Sequence, residues 1–364
     1  IEYCLNSAGS RISQVDHIAV NQDSAANLRE KVRYSLTHTP DLGLVMDRIR
    51  NKKKRSGIIE QLKAEYPDQD IKAEFHAVEH HVAHLSSAFH CSPFEKATTV
   101  SVDGFGDFAS TAWGLGEGKD VALEGRIYFP HSLGIFYQAL TQFLGFPNYG
   151  DEYKVMGLAS YGAPDYMSEM EQIVKLEADG RFELNLAFFN HHTKRISFEW
   201  SDGVPKFLNL YTAELEGLLG PARGPDQPLE KRHKDIAHSV QAMYENAFFS
   251  LLNSLHECHG CDSLAVAGGC GMNSVANGKI RSRTPYRNTY VQAAAGDAGG
   301  ALGAAYSVWH GLGNKARVPM RHALWGPEFS DTDYHQLLQE RATQLDDETC
   351  EATAHDDDQE LCNR

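Results

Sequence analysis

The chain lacks any run approaching the roughly 20 apolar residues that a membrane-spanning helix needs, and no basic-then-apolar leader opens it. These absences predict a soluble, cytoplasmic protein with no membrane partner. Positive charge is also scarce. Lys and Arg number 34 against 49 Asp and Glu, a net charge of -15, which repels a phosphate backbone and disfavours nucleic acid as a partner. The largest basic cluster, residues 48–55, has no interleaved aromatics to stack on bases and reads as a solvated helix face. Cysteines are few, odd in number at seven, and scattered, as in a reducing compartment rather than a disulfide framework. Cys258 and Cys261 stand in a C-x-x-C beside His256 and His259, but no second ligand pair at matched spacing completes a structural zinc site. A helix end with free thiols is the simpler reading.

What is present is enough for two lobes with cores of their own: 364 residues at 42% apolar content. Residues 1–8 lack an initiator Met and read as the tail of a helix, so a true N-terminus is expected upstream. Short strands are expected at 15–20 and 73–78, with helical pattern from 25 to 66 and a His-rich helix from 80 to 90. A three-stranded antiparallel meander should follow over 97–129, its first turn being Asp103-Gly104-Phe105-Gly106-Asp107. Helices are expected at 132–145 and 152–160, a mixed, aromatic-rich insertion at 165–225, and a long amphipathic helix at 235–255. A strand at 264–267, a helix at 272–280, a strand at 289–292 and a helix of small residues at 297–310 complete the pattern. The acidic stretch 346–360 reads as a solvated linker. Three strands, then helices alternating with strands, is the order of a ribonuclease-H-like half of the actin, sugar-kinase and heat-shock ATPase superfamily.

His80 and His84 are four apart, so a helix puts both imidazoles on one face where they could reach one divalent ion. His76, His81 and His90 lie nearby, so a merely His-rich surface explains the pair as well. Asp297, between Ala293-Ala294-Ala295-Gly296 and Ala298-Gly299-Gly300, is a third candidate, with small neighbours that leave room for a ligand. Its alternative role is to cap its helix. Two His and a carboxylate leave coordination positions open, as in non-haem ferrous and some catalytic zinc sites.

Gly104 and Gly106 sit in a stretch that resembles an actin-type phosphate hairpin or is a plain β-turn. Gly268, Gly269, Gly271 and Asn273 lie between strand and helix, where backbone amides can form a flat seat for an adenosine or its phosphate; tight packing is the rival. Lys154, in Tyr153-Lys154-Val155-Met156-Gly157-Leu158, either screens phosphate charge or forms a surface ion pair.

Five segments stand in the order seen in O-carbamoyltransferases: His80-His81-Val82-Ala83-His84, Val102-Asp103-Gly104, Tyr153 to Leu158, Gly268-Gly269-Cys270-Gly271-Met272-Asn273, and Gly296-Asp297-Ala298-Gly299. Over residues 1–330 the chain resembles the nodulation and antibiotic-tailoring carbamoyltransferases, whose N-terminal domain is similar to the tRNA threonylcarbamoyl transferase. The resemblance implies an α/β, actin-like ATPase fold, ribonuclease-H-like and duplicated into two lobes. Residues 1–95 would be the remainder of the first lobe, 96–312 the second with its insertion, and 313–364 a linker toward a C-terminal carbamoyladenylate-forming domain.

It further implies a divalent metal, expected to be Fe(II), held by His80, His84 and Asp297 with Asp103 as a further ligand or near neighbour, and carbamoyladenylate seated on Gly268–Asn273. The carbamoyl group would pass to a hydroxyl of a small molecule such as an antibiotic or sugar. Carbamoyl phosphate and ATP would be consumed in the C-terminal domain, the general base would come from a hairpin upstream of Ile1, and a homodimer is compatible with the family. The competing classes are the tRNA threonylcarbamoyl transferase, a sugar or acid kinase of the same fold, and an actin-like nucleotide-binding scaffold.

Overall fold

A computed structural model of the chain describes residues 1–38, 57–194, 198–201, 204–348 and 353. The basic cluster at 48–55 and most of the acidic stretch at 346–360 lie outside them. The chain divides into two compact units, Ile1–Met320 and Arg321–Arg364. Among the described residues, no helix is long and apolar enough to cross a membrane.

The first unit is mixed α/β, built around a five-stranded mixed sheet. Strands β3 (Lys96–Gly106), β4 (Ala109–Glu117) and β5 (Asp120–Tyr128) form an antiparallel meander, and β10 (Ser263–Ala267) and β11 (Asn288–Val291) add in parallel on the other side of β3. The strand order is β11-β10-β3-β4-β5. β3 carries the β-branched run Thr98-Thr99-Val100, which suits a pleated strand buried on both faces. A separate two-stranded parallel sheet pairs β1 (His17–Val20) with β2 (Glu74–Ala77).

The 165–225 region carries two small hairpins, β6 (Val174–Leu176) with β7 (Phe182–Leu184) and β8 (Phe198–Ser201) with β9 (Val204–Phe207). Its aromatics Phe182 and Phe189 are buried in the main core.

Among the helices, α1 spans Leu28–His38, α2 His80–Cys91, α3 Leu133–Phe143, α4 Glu152–Leu158, α5 Lys231–His259 and α6 Asp297–Gly311. α5 is the spine of the core: Val240, Tyr244, Phe248 and Leu252 are fully or almost fully buried and recur at helical spacing. Gly260, left-handed at φ 57°, terminates it. In the second unit, α7 (Asp331–Glu340) opens with a capping box in which Ser330 and Asp333 bond each other's backbone.

Three local expectations change. The glycine-rich stretch 103–107 is not the turn. β3 continues to Gly106, and the hairpin turns at Asp107 and Phe108, which take positive φ of 46° and 77° without glycine's freedom. The ladder to β4 is interrupted between Val102 and Gly106, which releases Asp103 from strand register. The 272–280 helix is broken into a 3-10 turn at Gly269–Met272 and two short helices, Ser274–Asn277 and Ile280–Arg283, because Asn273 caps a new start and Gly278 ends it. Asp297 is the first residue of α6 rather than its cap, which is Gly296.

Candidate metal centre

α2 starts at His80 because Glu79 caps it, its carboxylate accepting the Val82 amide at 2.8 Å and pairing with Arg126 at 3.3 Å. Asp107, from the hairpin turn, accepts the His80 amide at 2.9 Å and that of Asp23 at 2.7 Å. The orphan amides of the helix start are thereby tied to two separate segments, and the first turn of α2 is fixed in place.

On that turn the imidazoles of His80 and His84 converge, Nε2 to Nε2 at 3.1 Å. One oxygen of Asp103 lies 3.1 Å from both nitrogens, and Asp297 Oδ1 lies 3.4 Å from His80 Nε2 and 3.5 Å from His84 Nε2. Each of the four residues offers a ligand atom within 4.8 Å of the others. His84 is fully buried, whereas the Asp297 side chain is 72% exposed and marks the open side of the cluster. His81, between the two histidines, faces the sheet and contacts Ser101 Oγ at 3.0 Å; burial pushes its pKa down to about 4, a neutral core histidine.

The electrostatics suit a cation. Burial would raise the Asp103 carboxyl, but hydrogen bonds with His80 and His84 outweigh it and hold the group well below the usual carboxylate range. Burial likewise opposes charge on His84, yet Asp103 and Asp297 together lift it to about 9. Positive charge is thus favoured where two imidazoles and two carboxylates meet, and a divalent ion would supply it in place of a proton. The donor set, two nitrogens and two carboxylates with one side open, fits a first-row divalent ion.

The remaining sequence candidates have distinct surroundings. Gly106 lies under the His80 ring, and a Cβ there would collide with the imidazole. Its absent side chain makes room for a histidine rather than a phosphate. Gly104 is open on its Cβ side, its amide donates to Asp103 Oδ1 at 2.8 Å, and its carbonyl accepts from Ser132 Oγ at 2.8 Å. Gly268 has φ 89° and backs onto the Val102 backbone, and Gly271 packs near Val266. Asn273 caps its helix and forms a reciprocal amide pair with buried Gln241, which also accepts from the Tyr137 hydroxyl; neighbouring Glu245 pairs with Lys279. Lys154 pairs with Asp151 at 2.7 Å, the ion-pair alternative.

The Gly299, Gly300 and Gly303 stripe beside Asp297 is explained by packing. A side chain at Gly299 would strike the Ala294 carbonyl and one at Gly300 the Asn21 side chain, while the bare Cα of Gly303 lets α6 lie directly on α2 at the Ala83 carbonyl. Glu79, the Gln241 network and the hold of Asp107 on the start of α2 escaped sequence reasoning because single polar residues carry no periodic signal.

Gly269 reaches the cluster through its backbone. Its amide donates to Asp103 Oδ1 at 3.0 Å, and a Cβ would come within 2.8 Å of that oxygen. A bulky residue here should therefore disturb the metal cluster as well as anything bound at the turn. Gly269→Val is expected to lower metal occupancy together with nucleotide affinity. Elemental analysis beside calorimetric titration checks this; full metal content in the variant would contradict it.

Compared with known proteins, residues 1–306 match the family described as Carbamoyltransferase N-terminus. The chain belongs to the carbamoyltransferase family. An uncharacterized protein of a Synechocystis species is 35% identical over 357 residues, covering 94% of this chain and 56% of that protein. Nodulation protein NolNO of Sinorhizobium fredii is 31% identical over 97% of this chain and 48% of its own length. Nodulation protein NolO of Bradyrhizobium diazoefficiens is 34% identical over 71% and 43%. The chain therefore spans about half the length of these relatives. Among solved structures, HypF of T. kodakarensis aligns with a TM-score of 0.36 at 17% identity, covering 70% of this chain and 39% of that one. That likeness is too distant to support any inference.

Proposed function

We propose that this chain is the transfer half of an O-carbamoyltransferase, which passes a carbamoyl group from carbamoyladenylate to a hydroxyl of a small molecule, on an actin-like fold of two ribonuclease-H-like lobes. The observation that carries the reading is the convergence of His80, His84, Asp103 and Asp297 in a chain of this family. The sheet order β11-β10-β3-β4-β5, a meander flanked by parallel strands, supports the ribonuclease-H-like half. The net charge of -15 supports a small-molecule acceptor over a nucleic acid.

In this reading His80, His84, Asp103 and Asp297 hold a divalent ion, expected to be Fe(II). Bound there, the ion supplies positive charge that polarises a carbonyl or stabilises a departing phosphate. Asp297, on the open side, faces the incoming substrate. The Gly268–Asn273 turn offers backbone close to Asp103 and seats the adenylate, while the Gln241–Asn273 pair keeps the turn rigid. The acceptor oxygen forms a bond to the carbamoyl carbon, the bond from that carbon to the phosphate oxygen breaks, and adenosine monophosphate leaves with the electron pair. A general base takes up the hydroxyl proton. Burial holds the Cys270 thiol well above the ordinary range, so no role is assigned to it.

Division of labour gives the test. Carbamoyladenylate would be made from ATP and carbamoyl phosphate elsewhere in the full-length protein. In the His84→Ala enzyme, pyrophosphate release should continue while carbamoylated product falls by about 10²–10³, the usual effect of losing one electrostatic stabiliser. Parallel loss of both signals would overturn the assignment of roles.

A further inference from the structure

The two-stranded sheet carries a second cluster of metal-type donors, separate from the centre above. In the parallel register His17 stands opposite Glu74, and His76 lies two residues beyond Glu74, on the same face because side chains alternate along a strand. His17 Nδ1 lies 2.9 Å from His76 Nε2 and 3.8 Å from Glu74 Oε2. Each of the three residues offers a donor atom within 4.8 Å of the others.

We propose that His17, Glu74 and His76 form a second binding site for a first-row divalent cation such as Zn2+. Two ligands of one ion at bonds of about 2.0–2.2 Å stand no more than about 4.4 Å apart, and both spacings from His17 satisfy that limit. The approach of two imidazole nitrogens repeats the pattern of the principal centre, where His80 and His84 meet at 3.1 Å. A neutral His–His hydrogen bond with a loose carboxylate nearby would need only two of the three groups. The addition of Glu74 gives a borderline-soft set, two nitrogens and one oxygen, that suits zinc better than calcium or magnesium. The side chain of His17 is 34% exposed and that of Glu74 69%, so water completes the coordination and the ion can enter without opening the fold.

The position gives such an ion a consequence. Beyond β1, Asn21 donates to the Asp297 carbonyl and the Asp23 amide to Asp107; beyond β2 comes Glu79, the cap of α2. An ion at the start of the strand pair clamps β1 to β2 and steadies both segments that lead into the principal centre.

The test is titration of the metal-free protein with Co2+, read by visible absorption, followed by Zn2+ competition. The His84→Ala protein, impaired at the principal centre, should still bind an ion, and adding His17→Ala to it should abolish that binding. The unaltered protein should bind one ion more than His17→Ala or His76→Gln. His76→Gln keeps roughly the size and the polarity of this half-buried side chain, so a fold defect in one variant leaves the other to decide. Zn2+ should also raise the unfolding temperature of His84→Ala but not of His84→Ala/His17→Ala. Equal stoichiometry in the unaltered protein and both single variants would overturn the proposal. Because these readouts need no carbamoyl transfer, they stand or fall independently of the proposed function.

Discussion

Asp103→Asn is expected to abolish stable metal occupancy and to reduce carbamoyl transfer by the full-length protein by about 10²–10³. The substitution is nearly isosteric and divides the residue's two tasks. Asp103 Oδ1 accepts amides from Gly104 and Gly269, and an asparagine oxygen can keep both bonds. Oδ2 faces His80 and His84 at 3.1 Å, and there an asparagine amide brings neither charge nor a ligand lone pair. The loop should stay in place while the cluster loses the carboxylate most deeply set in it. The His84 imidazole, lifted to about 9 chiefly by its partners Asp103 and Asp297, should lose part of that lift. Elemental analysis and product formation, measured on one preparation whose circular dichroism is unchanged, check the prediction. Wild-type metal content would contradict it.

A second large effect is expected at a residue that is not itself a proposed ligand. Gly303 lies where α6 crosses α2, and a Cβ there would be driven into the Ala83 carbonyl oxygen and to 2.8 Å from the Ser87 amide nitrogen. Both atoms belong to backbone, so no rotamer change relieves the clash and the helices must separate. Gly303→Ala should destabilise the protein by about 1–3 kcal/mol, the range for overpacked interiors. It should also weaken metal binding, because α2 carries His80 and His84 while α6 begins at Asp297. The control is Gly311→Ala at the other end of the same helix, where nothing lies within 4 Å of the new methyl. That change should be neutral or stabilising by up to about 1 kcal/mol from helix propensity. Denaturant midpoints for the two variants, together with their metal content, decide the matter. A Gly303→Ala protein as stable as wild type would show that the helix contact is looser than this packing requires.

These residues also show what the sequence made legible. His80 and His84 could be paired from spacing alone, since four residues on a helix return to the same face. Asp297 could be added because a carboxylate among glycines and alanines is conspicuous. Asp103 gave no such signal: it follows a β-branched run and reads as the first residue of a turn, and only the likeness to a family brought it near the metal. The irregularity after Val102 that aims it at α2 arises from tertiary contacts with α2 and the Gly269 turn, which no local pattern encodes. The glycines after Asp297 were visible but ambiguous. Room for a ligand and room for the protein's own atoms look alike in a sequence, and here the Ala294 carbonyl and the Asn21 side chain fill the space beside Gly299 and Gly300. The turn at Asp107 and Phe108 was misplaced for a related reason: glycine marks left-handed backbone in most hairpins, yet here the two left-handed residues carry side chains. The antiparallel meander was easier, because strands joined by short turns pair with their neighbours in sequence.

The central claim is that four side chains from three separate stretches of the chain hold one ion. The most direct measurement is an anomalous difference map, recorded above and below the iron edge on crystals of protein purified without chelator. The account predicts a single strong peak on the open side of α2, at about 2.0–2.2 Å from the donor atoms of His80, His84, Asp103 and Asp297, with slightly longer bonds for ferrous iron. The absence of any peak among these four side chains, with the protein active in carbamoyl transfer, would contradict it.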